Sequence, residues 1–214
     1  MSVGVYGSSM AARIVPISLV CALALIAAAC SGSTVAVDDD LEPLLVGAPD
    51  AGGPWTLQEE RGNPIDLLDP VCGVALPDPR PFSVGHNGRI WFGGEPYPVL
   101  LQIVDRFETA AEASTVVGLH RNAAAACESW ILEDERGDVE FTVAPIDPGA
   151  PDGAVALEVV SVTGETVSPT GAEPLVTRQV MFASGDVVQF LALISLGEPD
   201  PGVLEEMVAE ATGR

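Results

Sequence analysis

The 214-residue sequence contains no lysine, and its nine arginines are outnumbered by 31 acidic residues, giving a formal net charge of -22. A nucleic-acid-binding protein needs a basic surface that displaces counterions from phosphates. We therefore expect no nucleic-acid partner. Because 48% of the residues are hydrophobic and only 19% are charged, the composition predicts a folded core rather than disorder throughout.

Histidine is also scarce, since His86 and His120 are the only two in the chain. That scarcity excludes a histidine-rich metal site. We interpret His86 as an exposed residue beside a turn and His120 as a hydrogen-bonded residue at the core edge, the alternative for His120 being a ligand or general base. The sequence lacks GxSxG, GxGxxG, P-loop and HExxH motifs. We predict no catalytic residue, no metal and no cofactor.

An apolar run, Ile14–Ala29, lies near the N-terminus and is 16 residues long. A bilayer requires about 20 helical residues, so the run indicates an export signal rather than a permanent span. Two small residues precede Cys30, and the flexible stretch Ser31–Ser33 follows it, a pattern similar to a bacterial lipoprotein signal. An ordinary secretory peptide cleaved near Ala29 is the alternative.

The lipoprotein interpretation divides the chain into a signal peptide over 1–29, starting at Met1 or Met10, and a mature part that begins at Cys30. Lipidation of Cys30 makes the membrane a partner through the N-terminal lipid, on the extracytoplasmic face of the cell membrane. Residues 30–53 are rich in Ser, Gly, Pro and Asp, which predicts a flexible acidic tether.

Cys72 and Cys127 are the two cysteines left once Cys21 is removed with the signal and Cys30 is lipidated. An exported domain lies in an oxidising compartment, which favours a disulfide between them. The loop between them spans 55 residues, so the chain-entropy relation gives a stabilisation of about 4 kcal/mol. A redox or metal pair is the alternative, but it lacks a CxxC spacing.

The remaining residues, 54–214, are predicted to form a single α+β domain. Its first half contains a short strand at 55–59, a hairpin turning at Asn87-Gly88, a buried strand at 99–107, and an alanine-rich helix. Thr109 and Glu112 have capping-box spacing at the start of that helix, which we extend to about Trp130.

In the second half, the hydrophobic period changes to two. We predict four strands there, the last pair a hairpin, and a final helix with Asp200 as N-cap and Pro201 at its first position. The strands are predicted at 138–143, 155–162, 176–182 and 187–194. Together these patterns predict an antiparallel sheet of about six to eight strands, flanked by a long central helix and a C-terminal helix.

From Val99 onward the predicted order is strand, long helix with a late Cys127 and Trp130, four strands with Arg178 in the terminal hairpin, and C-terminal helix. This order resembles the extracellular sensor domain of the mycobacterial PknH-type receptor kinases, which also occurs on actinobacterial lipoproteins. The resemblance implies a ligand-sensing role at the cell surface, in a cleft of the sheet. The family usually carries two disulfides, whereas this chain retains one candidate pair and contains no kinase sequence.

Arginines and clustered aromatic residues are the candidates for ligand contact because both are rare in this chain. Arg178 and Arg89 could each hold a carboxylate, as could Arg106, although each could instead pair with a neighbouring acid. Trp91, Phe92 and Tyr97 form the densest aromatic group. Trp91 and Phe92 are predicted to lie on opposite faces of a strand, which would leave one of them exposed.

These observations favour a non-catalytic, lipid-anchored, sensor-like domain of the cell envelope that binds a small molecule or an envelope component. A structural or accessory lipoprotein acting by protein contact is the alternative. A pocket with polar groups around Arg178 would favour the first, and a flat exposed patch at 91–97 would favour the second.

Overall fold

The protein, represented by a computed structural model, is described here over residues 37–58, 83–94, 97–132, 139–161 and 173–213. All of these belong to one compact unit, Val35–Arg214. The strands are β1 (Thr56–Gln58), β2 (Ser83–Phe92), β3 (Val99–Phe107), β4 (Ser129–Leu132), β5 (Val139–Pro145), β6 (Val155–Ser161), β7 (Leu175–Ser184) and β8 (Val187–Leu196). The helices are α1 (Ala110–Ala125), α2 (Pro201–Ala211) and a short 3-10 helix, Asp39–Leu44.

The eight strands form one antiparallel sheet in the order β1-β2-β3-β8-β7-β6-β5-β4. The predicted α+β class, with a central and a C-terminal helix beside the sheet, is confirmed. The two central strands, β3 and β8, are buried along almost their whole length because both of their faces are covered. Their sequences are accordingly near-continuous apolar runs.

Each face of the sheet carries its own hydrophobic cluster. On one face, α1 packs against side chains of β3, β6, β7 and β8, such as Ile103 and Phe190. On the other, α2 buries Val203, Leu204, Met207 and Val208 against the alternate side chains of the same strands. Among the described helices, none is long and apolar enough to cross a membrane.

Both predicted helix starts are confirmed. The Thr109 hydroxyl accepts from the Glu112 backbone N–H at 3.2 Å, and a Glu112 carboxylate oxygen accepts from the Thr109 N–H at 3.0 Å. At the start of α2, the Asp200 side chain accepts from the Gly202 N–H at 2.9 Å, with Pro201 as the first residue. These caps satisfy backbone donors that have no partner within the helix.

The predicted end of α1 is wrong. The helix ends at Ala125, and Trp130 lies in β4, where it pairs with Phe141 of β5. The two rings stack with centroids 4.7 Å apart. Aromatic stacking and strand pairing therefore decide the conformation of this segment over the helical spacing that the sequence shows.

The predicted hairpin at Asn87-Gly88 is also wrong. β2 runs straight through this pair, with Asn87 opposite Val104 and Gly88 opposite Ile103 of β3. Asn87 is buried, and its side-chain amide donates to the Asp38 carbonyl at 3.3 Å. The pairing of β2 with β3 instead continues to Phe92 opposite Val99, and beyond it the Gly93 N–H donates to the Pro98 carbonyl at 2.9 Å.

Residues 37–53, assigned to the flexible tether by their composition, instead lie against the sheet and α2. Leu41 and Leu45 are buried in a small cluster with residues of β3 and β8. The Val46 N–H donates to the buried Gln102 side chain of β3 at 2.8 Å. Apolar burial and the hydrogen bond to Gln102 thus hold a segment whose polar composition suggested a free chain.

Candidate functional site

Arg178 pairs with two carboxylates of the fold. From β7 its Nε donates to Glu158 at 2.6 Å, and its Nη2 donates to Glu198 at 2.6 Å. Partial burial acts to lower the pKa of Arg178, but its hydrogen bonds and charge interactions with Glu158 and Glu198 outweigh it and raise that pKa above the usual value. The alternative of pairing with neighbouring acids is the one that the structure shows.

Arg89 and Arg106 are also used within the fold. Arg89 of β2 donates to the Val46 carbonyl at 3.1 Å and pairs with Glu42 of the 3-10 helix. Arg106 of β3 pairs with Asp38 at 2.7 Å. Both arginines therefore attach the N-terminal segment to the sheet, and neither has its charge uncompensated.

The aromatic residues of the 91–97 segment belong largely to the core. Trp91 is only 3% exposed and packs in the cluster beneath α2. Phe92 lies on the opposite face, as predicted, but it and Tyr97 are half-buried against the cluster beneath α1. Trp91, one of the predicted ligand residues, is thus a core residue, because strand alternation directs it toward α2.

The two histidines differ from their predicted environments. His86 is half-buried in the middle of β2, since no turn forms there. His120 lies on the buried side of α1 at 3% exposure, and its Nδ1 has no hydrogen-bond partner in the described part of the chain. Desolvation by burial lowers the pKa of His120 from 6.5 to about 4, so it is neutral at physiological pH.

The predicted cysteine chemistry lies mainly outside the described residues. Cys127 follows the end of α1 and packs beside Trp130 and Phe141. Cys30 and Cys72 fall outside the described ranges, so lipidation and the Cys72–Cys127 bridge stay predictions. Within those ranges, no group of three or more His, Cys, Asp or Glu side chains is placed to hold a metal ion.

A cleft that the sequence analysis did not identify lies between the C-terminal part of α1 and the loop joining β5 to β6. Its volume is about 570 Å³, within the usual range for small-molecule sites of about 300 to 1,000 Å³. Its apolar lining includes Val143, Ile146, Val155 and Leu157, with prolines 145, 148 and 151 from the loop. The Pro- and Gly-rich sequence of 145–153 was the available signal, because long irregular loops often carry binding sites.

Three charged side chains line this cleft: Arg121 from α1, Glu128 after its end, and Asp147 from the loop. Arg121 donates through Nη2 to the Gly153 carbonyl, which connects the helix to the loop. Asp147 accepts from the Gly149 N–H at 3.0 Å through one carboxylate oxygen. Three of the four described arginines pair with a carboxylate, whereas Arg121 pairs with no carboxylate among the described residues.

A second recess lies at the β1 edge of the sheet, with a volume of about 690 Å³. It is lined by Pro54, Gln58, Phe92 and neighbouring residues, none of which is charged. Of these two recesses in the described part of the chain, the cleft beside α1 is the one that combines an apolar floor with charged groups able to orient a ligand.

Comparison with known proteins finds no matching family model and no matching curated protein. Among solved structures, the chain is similar to the extracellular domain of PknH from Mycobacterium tuberculosis, with 14% sequence identity and a TM-score of 0.49. The similarity covers 76% of this chain and 79% of that one. At this level of identity it does not establish membership of the family.

Proposed function

We propose that this chain is a non-catalytic domain of the cell envelope, anchored by a lipid at Cys30, that binds a small molecule in the cleft beside α1. The cleft carries the proposal, because it joins an apolar floor to polar groups from two different elements. The leader sequence supports the location, since its 16-residue, largely apolar run ends directly before Cys30.

Anchoring at Cys30 would hold the domain close to the membrane. Seven residues of chain connect Cys30 to Val37, which forms a bridge with His86 of β2. An extended chain spans at most about 3.6 Å per residue, which limits this connection to about 25 Å. The strong negative charge of the chain opposes direct adsorption on anionic lipid, so the lipid would supply the attachment.

Replacing the proposed lipidated residue tests the anchor. We expect Cys30→Ala to move the protein from the membrane fraction to the soluble fraction, because no acyl chain can then be attached. Cys21→Ala, the matched control within the leader, should leave it in the membrane fraction. Mass spectrometry of the wild-type chain should find the lipid on Cys30, and membrane retention of Cys30→Ala would contradict the anchor.

Filling the cleft tests the binding function. Ala125 is exposed on α1 and lines the cleft, whereas Ala111 is exposed on the same helix outside it. In a thermal-shift screen of amino acids, sugars and lipids, a ligand that binds the folded state raises the Tm. We expect Ala125→Phe to abolish that rise and Ala111→Phe to preserve it. A rise that persists unchanged in Ala125→Phe would place binding elsewhere and overturn the proposal.

An accessory role through protein contact is the second candidate, and an exposed residue at the sheet edge favours it. Ile131 is 63% exposed on β4, which ends the strand order on one side. Edge strands with apolar side chains can accept an extended segment of another protein. If this is the function, Ile131→Lys should abolish capture of an envelope protein by cross-linking in cells, whereas Ala125→Phe should not.

A further inference from the structure

We infer that the cleft beside α1 takes a zwitterionic ligand with an apolar body, such as a short apolar peptide, its carboxylate on Arg121 and its ammonium on Asp147 and Glu128. This inference rests on the proposed binding function and specifies the ligand class. It follows from the charges, the lining and the preorganisation of the cleft.

The anionic end of the ligand is assigned from Arg121. A guanidinium has five N–H donors, and the recorded hydrogen bond to the Gly153 carbonyl uses one of them. The other described arginines, Arg89, Arg106 and Arg178, each pair with at least one carboxylate. In a chain with a net charge of -22, Arg121 thus stands at a ligand-sized cleft with donors available for a carboxylate from outside.

The cationic end is assigned from the two carboxylates that line the same cleft. Glu128 and Asp147 are exposed and come from different elements. Asp147 uses Oδ1 for the Gly149 N–H, so its other oxygen can accept a donor from a ligand. With one cation and two acids in the lining, a purely anionic ligand would meet repulsion, and a ligand carrying both charges would satisfy both signs.

The apolar body is assigned from the floor and the loop. Val143, Val155 and Leu157 provide aliphatic surface, and prolines and alanines make up much of the rest of the lining. Proline and alanine side chains lose almost no conformational entropy when a ligand covers them. The lining is consequently preorganised to hold an apolar group that needs neither aromatic stacking nor hydrogen bonds.

The test compares leucyl-leucine with two analogues that each lack one charged end, N-acetyl-leucyl-leucine, which lacks the ammonium, and leucyl-leucine amide, which lacks the carboxylate. Binding to the full chain in detergent is measured by calorimetry and thermal shift. We expect leucyl-leucine to bind at least about tenfold more tightly than either analogue, because each charged hydrogen bond contributes a factor of about ten or more. Equal binding of all three would overturn the zwitterion assignment.

Two variants test which side chain binds each charged end of the ligand. Arg121→Gln and Asp147→Asn should each weaken leucyl-leucine binding about tenfold or more, and Arg121→Gln should leave the residual affinity for leucyl-leucine amide unchanged. Asn122→Ala, which changes an exposed neighbour outside the lining, is the matched control. Circular dichroism verifies that each variant is folded, and Arg121→Met replaces Arg121→Gln if it is not. Unchanged leucyl-leucine affinity in the folded Arg121 variant would refute the role of Arg121.

The outcomes separate this inference from the proposed function. If leucyl-leucine fails to bind but another compound of the screen stabilises the chain in an Ala125-dependent way, the ligand class is wrong and the binding function stands. If binding of every compound is insensitive to Ala125→Phe, the cleft is not the site and both proposals fail.

Discussion

The burial of His120 predicts that the folded protein loses a measurable amount of stability in acid. The side chain is buried between α1 and the sheet, and its pKa falls from 6.5 to about 4 because burial disfavours the charged form. Below pH 6.5 the unfolded chain binds a proton at this position, whereas the folded chain does not until about pH 4. Its stabilising contribution is therefore complete above pH 6.5 and is lost as the pH falls toward 4.

The magnitude follows from this difference in pKa. One pKa unit corresponds to about 1.4 kcal/mol, so the fall from 6.5 to about 4 predicts a loss of about 3 kcal/mol across that interval. The free energy of unfolding of a small domain is about 5 to 15 kcal/mol, which makes the loss a substantial fraction of the total.

Urea unfolding of the wild type and His120→Leu at a series of pH values measures this effect. Titration of the many carboxylates contributes to both chains, so the difference between the two free energies of unfolding isolates His120. We expect the variant to gain about 3 kcal/mol relative to the wild type between pH 7 and pH 4. His120→Gln, which keeps a polar side chain that cannot titrate in this range, should gain as much. A difference that stays constant with pH would refute the reasoning.

Three further predictions concern contacts that hold the fold together. Gln102→Leu should cost about 1 to 3 kcal/mol and speed hydrogen exchange over residues 41–46, because the Val46 N–H and Leu44 carbonyl lose their partner; unchanged exchange would contradict it. Arg178→Met should lower the urea-derived free energy of unfolding by about 2 kcal/mol by leaving Glu158 unpaired, and the double replacement with Glu158→Leu should recover part of that loss. Asp200→Ala should cost about 1 kcal/mol, with Asp200→Ser restoring it in thermal melts.

Elements with local signals could be predicted from the sequence. The start of α1 depends on Thr109 and Glu112, three positions apart, and the start of α2 depends on Asp200 and the adjacent Pro201. The two partners in each cap are neighbours in the chain, so the sequence pattern alone predicts the contact. The long apolar runs of β3 and β8 likewise predicted central strands, because two-sided burial requires apolar residues at consecutive positions.

Other features depend on residues that are distant in the chain. The Asn87-Gly88 pair has the composition of a turn, yet pairing with β3 keeps it in a strand. The segment around Val46 has the composition of a tether, yet its hydrogen-bond partner, Gln102, is 56 residues away. In both cases the deciding energy comes from burial and pairing that arise only after the sheet has formed.

The sequence by itself determined the acidic charge, the α+β class and the two helix starts, since each depends on composition or on neighbouring residues. Only the tertiary structure decided which arginines are neutralised and where a ligand could bind. Arg178 and Arg121 are both arginines in an acidic chain, but the first meets Glu158 across a strand pair and the second meets a carbonyl at a cleft. Whether an arginine can bind a ligand depends on which groups folding brings within a few ångströms of it. The separation of two residues in the sequence does not determine that distance.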